Sequence, residues 1–368
     1  MLRVIISGGG TGGHIFPAIS IANALCEAVS DIEILFVGAT GRMEMEKVPA
    51  AGYEIVGLPV AGFQRRFTLQ NLLFPFRLAA SMYKASSVLR RFRPDVVVGV
   101  GGYASGPMLR CAARHGIPCL IQEQNSYPGV TNKILAKDVK TICVAYPGME
   151  RFFPAEKIIF TGNPVRQDLQ KPVDRAEAAA FFGLDASRPV VLVIGGSLGA
   201  RSINNGIADS LSDLGPDTQL LWQTGKFYYD TVRQKPGVEG NPNVRVHAFI
   251  KRMDYAYALA DVVISRAGAG SISELSLLGK ACILVPSPNV AEDHQTKNAK
   301  ALVAQGAAMM VADDFAKTLL AETQLLLADR ERLRKYSEGI KVFARPYAAV
   351  DIAREVMAIA RTPAYDNE

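Results

Sequence analysis

Leu2-Arg3-Val4-Ile5-Ile6-Ser7-Gly8-Gly9-Gly10-Thr11-Gly12-Gly13-His14-Ile15-Phe16-Pro17-Ala18 is a strand-length apolar run that breaks on glycines and reopens on a helical pattern. A buried strand, a tight turn and a helix make the first half of a βα unit. The order recurs along the chain. Residues 2–7, 32–37, 96–100 and 118–122 read as buried parallel strands, as do 190–194, 219–224, 244–248, 262–265 and 282–285. Helical patterns such as 18–29 and 78–92 lie between them. Alternating strands and helices predict a parallel sheet covered on both faces.

A strand ending in Gly-Gly occurs three times, at Gly8-Gly9, Gly101-Gly102 and Gly195-Gly196. The first and third open the two halves of the chain, and Gly162-Asn163-Pro164-Val165-Arg166 reads as the linker between them. The expected domains are 1–163 and 164–345, with 346–368 a closing helix that packs back on the first. Two such domains facing each other would frame a cleft at strand C-termini, where open α/β sheets bind ligands.

The chain's 368 residues exceed what one hydrophobic core usually organises. Apolar residues at 49% and charged residues at 21% exclude a disordered chain. Five scattered cysteines without a C-x-x-C pair suggest neither a disulfide framework nor a zinc site, and fit a reducing compartment. No stretch reaches 18 uninterrupted apolar residues, and the first residues read as a strand rather than a leader. The expectation is a protein kept inside the cell.

The net charge of +6 lies wholly in residues 1–163, which carry 17 Lys/Arg against 11 Asp/Glu. Residues 55–94 hold no acid and seven bases: Arg65, Arg66, Arg77, Lys84, Arg90, Arg91 and Arg93. Leu72, Leu73, Phe74 and Phe76 are interleaved with them. Bases among large apolar residues suit an anionic membrane surface, at about 1 kcal/mol per base near it. The alternative is a solvated helix whose apolar stripe is core. No nucleic-acid motif accompanies the bases, so nucleic acid is not an expected partner.

The glycine loops bear on chemistry. Gly8, Gly10 and Gly13 satisfy G-x-G-x-x-G, and backbone N–H groups at a helix start attract anions. A dinucleotide fold also needs an acid at the end of its second strand, but Asp31 and Glu33 stand at the start of that strand. Nicotinamide dinucleotide binding is therefore disfavoured. Further helix starts follow Gly101-Gly102-Tyr103-Ala104-Ser105-Gly106, Gly195-Gly196-Ser197-Leu198-Gly199 and Arg266-Ala267-Gly268-Ala269-Gly270. Several such starts suit a ligand with more than one phosphate. Ser271-x-x-Glu274 fits a capping box, which would give Glu274 a purely local role. His14 stands where a helix begins; the dipole there disfavours imidazolium, leaving the neutral ring a general base needs. A structural histidine is the competing reading. No metal-binding or P-loop pattern is present, and no cofactor is expected.

Six motifs in series resemble glycosyltransferase family 28, the MurG family. They are Gly9-Gly10-Thr11-Gly12-Gly13-His14-Ile15-Phe16-Pro17-Ala18, Gly101-Gly102-Tyr103-Ala104-Ser105-Gly106-Pro107, Glu123-Gln124-Asn125, Gly162-Asn163-Pro164-Val165-Arg166, Gly195-Gly196-Ser197-Leu198-Gly199-Ala200-Arg201 and His294-Gln295-Thr296-Lys297-Asn298-Ala299. The resemblance spans nearly the whole chain. It implies an α/β protein of the GT-B class, two Rossmann-like parallel-sheet domains. It also implies an inverting, metal-independent transfer of GlcNAc from UDP-GlcNAc to the muramyl 4-hydroxyl of an undecaprenyl-diphosphate-linked muramyl-pentapeptide. That reaction makes a peptidoglycan precursor at the cytoplasmic face of the inner membrane. An anionic membrane surface and other cell-wall synthesis proteins are the further partners it implies.

Carried over by position, the resemblance makes His14 the base, with Glu123 in reserve. It places Thr11, Gly12, Gly13, Asn125, Arg166, Ser197, Ile250, Glu274 and Gln295 on the donor. Ile250 would read the uracil through its backbone, Glu274 would hold the ribose and Gln295 the sugar. Gly102, Tyr103 and Ser105 would take the acceptor diphosphate. Leu198 stands where many members have glutamine, and His294-Gln295-Thr296 replaces their Arg-Gln-Gln, so Gln295 alone carries over there. A UDP-GlcNAc 2-epimerase, an NAD-dependent oxidoreductase and a non-catalytic nucleotide-sugar sensor are the rival classes.

Overall fold

The computed structural model describes residues 1–60, 74–196 and 198–360. The chain divides into two compact units, one made of Met1–Val165 with Arg345–Glu368 and the other of Arg166–Ala344. Each is built on one parallel sheet.

The first sheet holds β1 (Leu2–Ser7), β2 (Ile32–Ala39), β3 (Glu54–Leu58), β4 (Val96–Gly99), β5 (Cys119–Glu123), β6 (Thr141–Val144) and β7 (Ile158–Phe160) in the order 3-2-1-4-5-6-7. The second holds β8 (Val190–Ile194), β9 (Gln219–Gln223), β10 (Val244–His247), β11 (Val262–Ser265), β12 (Cys282–Leu284) and β13 (Met309–Met310) in the order 10-9-8-11-12-13. In both, the chain starts in the middle, winds to one edge, returns and winds to the other. This is the doubly wound Rossmann-like arrangement, and the pair of sheets is of the GT-B class.

Alternation along β1 shows how each sheet is covered. Val4 and Ile6 pack in one cluster with Ile21 and Leu25 of the Gly12–Ala28 helix. Ile5 faces the opposite cluster, with Leu89, Leu109 and Leu135 from three other helices. Side chains along a strand alternate faces, so a continuous apolar run is what a sheet buried on both sides requires. The second sheet repeats this: Val191 and Val193 lie in one cluster, Val190, Leu192 and Ile194 in the other.

The Ala348–Ala360 helix contributes Ile352, Ala353, Val356 and Ile359 to the first unit's core, against the Gly12–Ala28 helix. The chain therefore returns to its first unit after completing its second.

Two local expectations are corrected. The first helix starts at Gly12, not at 18, and carries Pro17 inside it. Pro17 stands sixth in that helix and gives the Gly13 carbonyl no intrahelical N–H donor. The helix expected from 78 is Phe74–Phe92. Its Ser81, Ala85, Leu89 and Phe92 are buried at helical spacing, so this stretch does present a core stripe. On the outward side Phe76 is 75% exposed, as is Tyr83. Arg77, Lys84 and Arg91 follow at heptad spacing and are exposed. Arg65, Arg66, Leu72 and Leu73, and the side chain of Phe74, lie outside the described residues.

Candidate active site

At the C-terminal end of the first sheet, the first two glycine loops press together. Gly102 has φ +86°, and a Cβ there would come within 2.4 Å of the Gly9 carbonyl oxygen. Gly101 lies against the ring of His14: a Cβ would sit 2.9 Å from both Cδ2 and Nε2. His14 is the third residue of its helix and half-buried. Its Nδ1 is 3.1 Å from the Gly9 carbonyl and 3.2 Å from Thr11 Oγ1. A carbonyl only accepts, so Nδ1 carries the proton and Nε2 is the basic nitrogen. Thr11 is the N-cap residue but makes no side-chain cap, and Gly12 and Gly13 follow as the first helical residues.

Glu44, which the sequence reading passed over, enters the same loop from the Glu44–Ala50 helix. It is 1% exposed, and its carboxylate accepts from Gly10 N–H (2.8 Å) and Ala39 N–H (2.9 Å). The second strand therefore does have an acid at its C-terminal end, supplied from five residues downstream. That acid is buried in the loop.

Glu123 ends β5 at 2% exposure. It accepts four N–H groups: Asn125 N (3.0 Å), Asn125 Nδ2 (3.3 Å), Gly129 N (3.1 Å) and Asn132 Nδ2 (2.9 Å). Burial pushes its carboxyl above the ordinary range while these donors pull it down. The carboxylate is committed to folding the 123–129 loop. Both carboxylate oxygens are thereby engaged, one of them with Asn125. Beneath it Gln124 Nε2 donates to the Val100 carbonyl (2.8 Å), Gln122 Nε2 to Asn163 Oδ1 (2.9 Å) and Asn163 Nδ2 to the Gln124 carbonyl (3.0 Å).

Ser105 begins the helix after the second glycine loop. Its fully buried hydroxyl points at the carbonyls of Ser7 (2.7 Å) and Gly101 (2.9 Å), tying β1 to the second glycine loop. Gly102 and the half-exposed Tyr103 remain on the loop surface.

In the second unit, Arg166 Nε donates to Glu274 Oε1 (3.3 Å) and Tyr257 Oη to Glu274 Oε2 (2.8 Å). Burial, with Glu274 alongside, holds the Tyr257 hydroxyl well above its usual range. The Ala269–Leu278 helix starts from Gly268, with no side chain capping it. Ser271 is already inside the helix, so the capping box does not form and Glu274 is left for other work. Orphan N–H groups of an uncapped helix start favour an anion.

The Ile250 amide donates to Gln223 Oε1 (2.8 Å), while Gln223 Nε2 donates to the Gly196 carbonyl (3.3 Å). Gln223, also unforeseen, thus braces the third glycine loop and engages the Ile250 amide. Gln295 Oε1 accepts from the Ser287 amide (2.9 Å) at the start of the His294–Val303 helix. The two residues before that helix, Glu292 and Asp293, both have left-handed φ, +57° and +50°. Ser197 lies outside the described residues. Among the described residues no three His, Cys, Asp or Glu gather as a metal site.

Two family models match the chain. Residues 4–144 match the glycosyltransferase family 28 N-terminal domain and residues 190–351 its C-terminal domain. A relative from Parabacteroides distasonis is 58% identical over 97% of this chain and 98% of its own length. One from Bacteroides thetaiotaomicron is 56% identical over 98% of each. Both are named UDP-N-acetylglucosamine--N-acetylmuramyl-(pentapeptide) pyrophosphoryl-undecaprenol N-acetylglucosamine transferase. The crystal structure of Acinetobacter baumannii MurG superposes with a TM-score of 0.78 at 29% identity, covering 97% of this chain and all of that one. With both halves of the family matched in order on two Rossmann-like sheets, the chain belongs to glycosyltransferase family 28.

Proposed function

We propose that this chain moves GlcNAc from UDP-GlcNAc to the 4-hydroxyl of a diphosphate-linked muramyl-pentapeptide lipid, with inversion at the sugar carbon. The full-length likeness to transferases named for that reaction carries the substrate assignment. The first unit takes the acceptor and the second the donor, whose ribose and sugar fall to Glu274 and Gln295.

His14 is the base. Its Nε2 takes the proton of the acceptor hydroxyl as that oxygen attacks the anomeric carbon. The bond from that carbon to the UDP oxygen breaks, and UDP leaves with the electron pair. The uncapped Gly268 helix start offers amides to the charge that develops on the leaving diphosphate. The third glycine loop, braced by Gln223, offers more. No metal is required for this step.

The acceptor is lipid-borne, so the enzyme works at the inner face of the membrane. The outward face of the Phe74–Phe92 helix, with Phe76 and Tyr83 beside Arg77, Lys84 and Arg91, supports contact with an anionic surface. No helix among the described residues is long and apolar enough to cross a membrane.

The test is UDP release from UDP-GlcNAc, with and without a lipid-linked acceptor analogue, in excess EDTA. Release that needs acceptor and survives EDTA is expected. Release without acceptor would point to an epimerase or a hydrolase. Donor binding with no release at all would leave a sensor.

A further inference from the structure

One peptide plane joins two side chains at the first glycine loop. The Gly9–Gly10 peptide gives its N–H to Glu44 Oε2 at 2.8 Å and presents its carbonyl to His14 Nδ1 at 3.1 Å. A trans peptide points these groups to opposite edges of a rigid plane. Glu44 therefore stands behind the peptide and His14 in front of it.

The loop is shaped around Glu44. A Cβ on Gly9 would lie 2.3 Å from the Glu44 carboxyl carbon, and one on Gly38 would lie 2.5 Å from its Cγ. Two glycines thus make room for one acid. Its second oxygen, on Ala39 N–H, anchors it to the end of β2. The Gly10 amide, which a G-x-G-x-x-G loop would be expected to offer to a phosphate, is occupied from within the protein.

We infer that Glu44 is a positioning residue for the transfer, holding the Gly9–Gly10 peptide so that the Gly9 carbonyl fixes the Nδ1–H tautomer of His14. Hydrogen bonds in series polarise one another, so the peptide also passes the acid's influence to the imidazole as Nε2 gains its proton. Glu44 itself touches no substrate. The inference rests on His14 being the base.

Four full-length proteins test it: wild type, Glu44→Gln, His14→Gln and the double variant. The rates are measured with UDP-GlcNAc and a lipid-linked acceptor analogue. A glutamine would set its NH2 against either Gly10 N–H or Ala39 N–H, releasing one anchor. Glu44→Gln is expected to lower kcat about 10–10²-fold, less than the ~10²–10⁴-fold expected for losing the base. Its KM for UDP-GlcNAc should stay within about twofold. In the His14→Gln background the same change should cost less than about twofold, because a residue acting through His14 has nothing left to position. Losses that multiply instead would make Glu44 merely structural and overturn the inference. So would wild-type kcat in Glu44→Gln while His14→Gln is slow. Wild-type turnover in His14→Gln would sink the base reading and the inference together.

Should Glu44→Gln not fold, 15N-histidine NMR of the wild-type protein decides. The chain has four histidines, and the His14 signals are those lost in His14→Gln. A ring protonated on Nδ1 at pH 7.5 is expected; one protonated on Nε2 would overturn the inference.

Discussion

Ser105 separates a residue that builds a loop from one that greets a ligand. Its hydroxyl faces two backbone carbonyls and no solvent. Ser105→Ala should therefore lower stability by about 1–2 kcal/mol and leave the acceptor KM unchanged. A raised acceptor KM at unchanged melting temperature would restore Ser105 to the binding surface. Conversely, His14→Ala should lower kcat about 10²–10⁴-fold and leave donor KM nearly untouched; unaltered turnover would remove it as base. Lys280 shows a different residue effect. Burial pushes its ammonium down to about 8, with Nζ donating to the Ala260 carbonyl at 2.9 Å. Between that value and an ordinary lysine's, the unfolded chain binds a proton that the folded chain has released. Stability should therefore rise with pH through this window, by at most about 1.4 kcal/mol per unit. Lys280→Met lacks this slope, so its stability advantage over wild type should shrink between pH 8 and 9.5 in denaturant titrations. A constant difference would refute it. The side-chain contacts that local spacing does not announce share one cause. Glu44, Glu123, Ser105 and Gln223 act through partners folded back against them, and nothing in local spacing tells an inward carboxylate or hydroxyl from an outward one.

Among elements, legibility followed burial on both faces. Residues 190–194 and 262–265 read as strands from sequence and are β8 and β11, interior strands with every residue buried. The strands passed over include β3, β7 and β13, all at or beside a sheet edge and only partly buried, two of them three residues or shorter. An edge strand needs an apolar pattern on fewer positions, so its signal is weak. The interior β6, Thr141-Ile142-Cys143-Val144, went unread although it is as long and as fully buried as β11. The Phe74–Phe92 helix serves two purposes at once, which explains why its sequence supported two readings. Leu89 faces the core, and Leu89→Ala should cost about 2–5 kcal/mol. Phe76→Ser should change stability by no more than about 0.5 kcal/mol while weakening binding to anionic vesicles. Equal vesicle binding by wild type and Phe76→Ser would detach this face from the membrane.

At the scale of the whole molecule, the division into units does not follow chain order. Ile352 lies far along the sequence but belongs to the core of the unit that carries His14. Ile352→Ala should lower that unit's calorimetric transition by about 2–5 kcal/mol worth of stability and spare the transition of Arg166–Ala344. A shift confined to the second unit would contradict the assignment. The two-sheet architecture was readable because both halves repeat strand, glycine turn and helix.

That returning helix also sets a schedule. On the ribosome, residues 1–165 emerge first, yet one face of the Gly12–Ala28 helix waits for residues 348–360. At about 5–20 residues per second, roughly 180 intervening residues take about 10–35 s to appear. Throughout that interval Ile21, Leu25 and their neighbours lack their final cover. The nascent first unit is then a substrate for chaperones and a hazard for aggregation, and slow codons in the second half would lengthen its exposure.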